Sequence, residues 1–238
     1  MDLKLKYYFH KKGKRMEIFN IAILDDNKSK INTIEVLFMQ QNDKSTNLYD
    51  ERYANYQLKL IPIDVEKSYD EIISEIIQNK FDAIIVDYDF SSFAKTTNNG
   101  VYAAKKIQEK FSEFPLFILT AYEERLFKNE VFDAYQIYNY DNYINNEVVA
   151  KEFHSHIIEQ ILKSKKQLEL WEKELIELSK SPEKDINAQI SSRIIELNDK
   201  LEKALDGEYS LPTKIKEDLY SNKLDKLLKQ ADKLLEGK

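Results

Sequence analysis

What most constrains this chain is a change of hydrophobic period near residue 150. Before it, short apolar runs at 18–24, 57–63, 83–86, 116–119 and 140–144 alternate with segments at 28–40, 69–78, 101–110 and 123–135 whose apolar residues fall at helical spacing. Each run is brief and rich in Ile, Val, Leu, Phe or Tyr, as strands buried on both faces are. Strand and helix in strict alternation imply right-handed crossover units, hence a mainly parallel sheet covered on both sides.

Five such units over residues 17–150 predict a flavodoxin-like, doubly wound α/β domain with strand order 2-1-3-4-5. Residues 41–56 form a long polar connection ahead of the second strand. Residues 1–16 form either an arm or an added strand that turns at Gly13.

From residue 151 to 238 the period becomes that of a helical seam. Ile157, Ile161, Leu168, Trp171, Leu175 and Leu178 fall on alternating steps of four and three, with Ser164 in one slot. A break is expected near 181–184, where Pro182 suits the first turn of the next helix. A second seam runs through Ile190, Ile194, Leu197 and Leu201. A further break near 207–212 precedes a third helix carrying Leu219, Leu224, Leu227, Ala231 and Leu234. The stripes must be buried in an intramolecular bundle or hairpin, a dimeric coiled coil, or a partner's groove. No Gly or Pro interrupts 146–180, so the last helix of the α/β domain is expected to run on into the tail.

Composition removes several functions. The chain has no cysteine, hence no disulfide, thiolate metal site or thiol nucleophile. From residue 151 onward there are 17 basic and 18 acidic residues, and the first 150 residues are acidic overall, so neither part has the basic excess of a nucleic-acid-binding domain. Lysines and an arginine interrupt the N-terminal segment, so no signal peptide is expected there. No apolar stretch approaches the length of a membrane helix, and a cytoplasmic protein without membrane contact is the expectation.

Polar residues gather at the predicted strand tips. The run Ile21-Ala22-Ile23-Leu24 leads into Asp25-Asp26, Ile84-Ile85-Val86 into Asp87, and Leu116-Phe117-Ile118-Leu119 into Thr120-Ala121. In a doubly wound sheet, ligands bind beyond the carboxyl ends of the strands where the order reverses, and here strands one and three straddle that point. Three crowded carboxylates require a cation or shifted pKa values, and a hard, oxygen-liganded ion such as Mg²⁺ fits best.

These motifs, in this order, resemble the receiver domain of two-component response regulators over roughly residues 17–150. The resemblance implies that Asp25 and Asp26 are the acidic pair at the metal, and that Asp87 is the phosphoacceptor. It makes the Tyr88 backbone carbonyl a further metal ligand and Thr120 the switch hydroxyl. Asn99-Gly100 resembles the start of the third helix, and Asp141-Asn142-Tyr143-Ile144 resembles the fifth strand, with Tyr143 as the switch aromatic. The implied activity is signal transduction, not enzymatic turnover. A histidine kinase or other signalling protein, or a small phosphodonor, phosphorylates Asp87 in a Mg²⁺-dependent phosphorelay step, and the helical tail engages a protein partner or itself.

The chain departs from the family at two places. Asn146 stands where the family carries a phosphoryl-binding lysine, followed by Glu147 in place of a proline, and an amide does not fully replace a cation there. The polar loop from Tyr88 to Asn99 is long and contains Lys95 as a candidate substitute. A phosphorylation-independent, degenerate receiver acting as an interaction or dimerisation module is therefore the alternative. A phosphatase using Asp87 and Asp89 is a weaker one, because the Asp-x-Asp motif would belong on the first strand. Tyr138, Tyr140 and Trp171 read as packing residues, and His10, His154 and His156 lie outside the acidic site.

Overall fold

The computed structural model describes residues 16–88, 100–111, 113–121, 136–180 and 188–205. Five parallel strands, β1 (Glu17–Leu24), β2 (Tyr56–Pro62), β3 (Ala83–Val86), β4 (Leu116–Thr120) and β5 (Ile137–Asn139), form one sheet in the order β2-β1-β3-β4-β5. This is the expected flavodoxin-like order, followed by helical segments. Alternate residues of β1 serve opposite faces, as the pleat requires. Phe19, Ile21 and Ile23 join Phe38, Leu58 and Phe117 on one side; Ala22 and Leu24 join Ile72, Ile84 and Ile107 on the other.

The helices are α1 (Lys28–Gln41), α2 (Tyr69–Gln78), α3 (Gly100–Lys110), α4 (Tyr140–Asn145), α5 (Glu147–Ser179) and α6 (Ala188–Leu205). Polar side chains set several of their starts. Asn27 caps α1 by accepting from the N–H groups of Ser29 and Lys30, and Ser68 and Glu71 form a reciprocal capping box on α2. Residues 1–15, the expected helix at 123–135 and the expected third tail helix lie outside the described residues.

One element departs from expectation. The fifth strand is residues 137–139, not 140–144, and Tyr140–Asn145 is helical. Asn139 ends the strand because its side chain accepts the Asn142 N–H and caps α4. Tyr140, Tyr143 and Ile144 then fall at i, i+3 and i+4, which a short helix buries on one face. The same residues, being β-formers, imitate a strand.

Helix α5 is unbroken for 33 residues, about 50 Å at the usual rise. Its seam serves two cores. Ile157 and Ile161, with Ala150, Phe153 and Ile158, pack against the sheet. Leu168, Trp171, Leu175 and Leu178 pack against Leu197 and Leu201 of α6. Arg193 pairs with Glu174, and Lys200 lies over the Trp171 ring. As residue number rises along α6 it falls along α5, so the two helices form an antiparallel hairpin within the chain. Of the three ways to bury the tail's stripes, the intramolecular hairpin is realised for these two helices.

The long 41–56 connection fastens α5 to the sheet. Leu48 is buried, the Lys151 ammonium donates to the Tyr49 carbonyl at 2.7 Å, Ser155 donates to Asp50, and the Tyr53 hydroxyl donates to Glu159. At the amino ends of β1 and β3, Lys165 bridges Glu17 and Asp82 at 3.0 and 2.9 Å.

Where α4 turns into α5, the fully buried Tyr143 pairs its hydroxyl with His154 Nε2 at 2.9 Å. Burial holds the His154 imidazole neutral, with a pKa near 3, and its Nδ1 has no hydrogen-bond partner among the described residues. Tyr143→Phe would leave both ring nitrogens unsatisfied, at a cost of about 1–3 kcal/mol. Urea denaturation should register that loss as a lower midpoint with an unchanged slope.

Candidate functional site

The site is built on the carboxyl ends of β1 and β3. Asp25 and Asp26 directly follow β1, and Asp87 directly follows β3. The Asp87 N–H donates to the Leu24 carbonyl at 2.9 Å, tying one strand tip to the other. Asp25 Oδ1 accepts the Asn27 N–H at 2.7 Å, which fixes its carboxylate beside the cap of α1. Asp25 and Asp87 are only 7% and 5% exposed, and Asp26 is half-buried.

One carboxylate oxygen from each of the three acids lies within 4.8 Å of the others. An ion bound at about 2.1 Å to each ligand needs separations no greater than about 4.2 Å, so the three oxygens could hold a small hard cation after small side-chain adjustments. The donor set is wholly hard oxygen, as that ion prefers.

Electrostatics agree with a site short of positive charge. Burial, and next the charge of Asp87, push the Asp25 carboxyl up to about 7, against a smaller opposing pull from the Asn27 N–H and Lys30. Burial also raises Asp87, but the charge and hydrogen bond of Lys30 draw it back. The Lys30 ammonium stands 3.0 Å from Asp87 Oδ2 and is 22% exposed. Burial is the largest single influence and disfavours its charge, but the charge and hydrogen bond of Asp87, with the charges of Asp25 and Tyr140, together outweigh it and leave its pKa above the ordinary value.

The remaining expected residues are dispersed. Thr120 ends β4 one strand from Asp87 and is fully buried. The Tyr88 carbonyl borders Gly100 at the start of α3, where an added Cβ would sit 2.9 Å from it. Tyr143, expected in the fifth strand as the switch aromatic, is instead on α4 and packs against Phe153 and His154. Asn146 is occupied as the cap of α5, accepting from the N–H groups of Val148 and Val149. Asp89 and Lys95 lie outside the described residues.

Two contributors were missed in the sequence. Lys30 pairs with Asp87, and Tyr140 offers its ring to Lys30 with the ammonium 5.2 Å from the ring centre. A readable signal existed for the first. The opening turn of α1 contains Lys28 and Lys30 and no acid, the reverse of what the helix dipole favours. An acidic residue just ahead of the helix offsets that. No protein-family model matches this chain, and neither does any curated protein sequence.

Proposed function

We propose that the chain is an atypical response-regulator receiver, in which Asp87 accepts a phosphoryl group and the α4–α5 helices carry the change of state to the tail. The observation that supports this most is the convergence of Asp25, Asp26 and Asp87 at the reversal point of the sheet, with Asp87 buried and paired to Lys30. Asp25, Asp26, Asp87 and the Tyr88 carbonyl would hold Mg²⁺. When bound, the ion supplies positive charge to the transferring phosphoryl oxygens.

The protein's own part is to present and orient. Asp87 is the nucleophile, fixed by its backbone bond to β1 and kept from bulk water by burial. Thr120 offers a hydroxyl at the neighbouring strand tip. Lys30 connects the site to Tyr140, and Tyr140 belongs to the helix that leads through Asn146 directly into α5. A change in the charge on Asp87 thus reaches the long helix through two side chains. A histidine kinase or small acyl-phosphate donor would supply the phosphoryl group, and a protein partner or second copy would read the tail.

The second reading is a receiver that works without phosphorylation. The capping role of Asn146 favours it, because that residue is committed to α5 and not to a phosphoryl group. Intact mass after incubation with Mg²⁺ and acetyl phosphate separates the two. One phosphoryl adduct, absent from Asp87→Asn, is expected. A wild-type protein that gains no adduct and binds no beryllofluoride belongs to the second reading.

A further inference from the structure

We propose that Lys30, in the first turn of α1, is a catalytic residue: the cation that stabilises the phosphoryl group as it transfers to Asp87. This rests on reading Asp87 as the phosphoacceptor, and assigns to α1 a role that Asn146, the cap of α5, does not fill.

Three observations carry the assignment. The Lys30 ammonium already touches the reacting group, 3.0 Å from Asp87 Oδ2. It is placed from both ends: its backbone N–H donates to the Asn27 cap at 3.2 Å, and its ammonium lies over the Tyr140 ring. The residue standing where the resembled family has its lysine is turned to another task, with the Asn146 side chain accepting from Val148 and Val149. A lysine in a helix's opening turn opposes the dipole, and the charges of Asp87 and Asp25 favour its ammonium there.

In the step itself, one oxygen of Asp87 forms a bond to phosphorus while the bond from phosphorus to the donor's acyl oxygen breaks. The acyl group leaves as a carboxylate with the bonding electron pair, and no proton moves. Asp87 loses its negative charge as the phosphoryl oxygens arrive within reach of the same ammonium. Lys30 therefore exchanges a carboxylate oxygen for a phosphoryl oxygen without leaving its seat. A preorganised cation aimed at developing charge acts in this way.

The test compares full-length wild type, Lys30→Met and Lys30→Arg, each shown to be folded by a thermal melt in saturating Mg²⁺. The initial rate of adduct formation with acetyl phosphate is followed by intact mass, and Mg²⁺ affinity is titrated in parallel. Lys30→Met is expected to slow the reaction about 100-fold while binding Mg²⁺ at least as tightly, because a competing cation has gone. Lys30→Arg is expected to react at least tenfold faster than the Met variant. A Met variant that reacts at the wild-type rate overturns the proposal and leaves Asp87 as the phosphoacceptor. A wild type that forms no adduct overturns both. A second measurement needs no variant: in ¹⁵N-lysine-labelled wild type, the side-chain resonance of Lys30 should move when beryllofluoride binds. An unmoved resonance with beryllofluoride bound also overturns the proposal.

Discussion

Gly100→Ala is expected to destabilise the protein severely and to abolish metal binding at the acidic site. A Cβ at this position would lie 1.7 Å from the Asp87 carbonyl oxygen and 2.9 Å from that of Tyr88. Both obstacles are backbone, so no rotamer change relieves them, and one is the backbone of the proposed nucleophile. Overpacking a core with an extra methyl costs about 1–3 kcal/mol where side chains can yield. Here α3 must retreat from the tip of β3, and the cost should reach or exceed the top of that range. Retreat would also displace the Tyr88 carbonyl, a proposed metal ligand. Urea denaturation should show the lower midpoint, and a Mg²⁺ titration of the still-folded fraction should show no binding. A variant with wild-type stability would mean that α3 does not press on β3 as described.

The alternating periods before residue 150 made the sheet legible because strands buried on both faces leave uninterrupted apolar runs. β3 was read to the residue, and β1, β2 and β4 within one. The fifth strand was misread because its three residues, Ile137–Asn139, are too few to outweigh the adjacent Tyr140, Tyr143 and Ile144. What decided the matter was the Asn139 cap, a local hydrogen bond that hydrophobic period does not reveal.

The acids were legible for a related reason. Strand tips in parallel sheets have a known location, so Asp25, Asp26 and Asp87 could be brought together before any geometry was known. Side chains that reach the site from a helix have no such guide. Lys30 needed the helix's start, its cap and its rotation to be fixed first, and searching by family position led instead to Asn146. The tail divides in the same way: its seam was visible, but a seam does not say what covers it. One half of the α5 stripe closes on the sheet and the other on α6.

Asp25→Asn should make the metal-free protein more stable and, in the same stroke, deprive it of stabilisation by Mg²⁺. Asp25 has a folded pKa of about 7 against an ordinary value of 3.8. Between those values the folded state holds the proton more firmly than the unfolded one, so stability falls as pH rises, and the full penalty stands above about pH 7. Its size is on the order of a few kcal/mol. Asn removes the buried charge and can keep the bond from the Asn27 N–H, because its oxygen accepts as the carboxylate does. His154 works in the opposite sense: with a folded value near 3 and an ordinary value of 6.5, it makes stability fall as pH drops through that window. From about pH 4 to 6.5 the Asp25 and His154 slopes oppose each other in the wild type, and the raised Asp87 adds to the Asp25 side. Removing Asp25 leaves the histidine slope exposed, about 1.4 kcal/mol per pH unit. Urea titrations in EDTA should therefore show the variant losing more stability than the wild type as pH falls from 6.5 to 4.5. At pH 7.5 in EDTA the variant should be the more stable of the two, and adding Mg²⁺ should narrow or reverse that order by stabilising the wild type alone. A variant less stable than wild type in EDTA at pH 7.5 would show that the Asp25 carboxylate is not held against its own charge, and would remove the electrostatic case for a cation at this site.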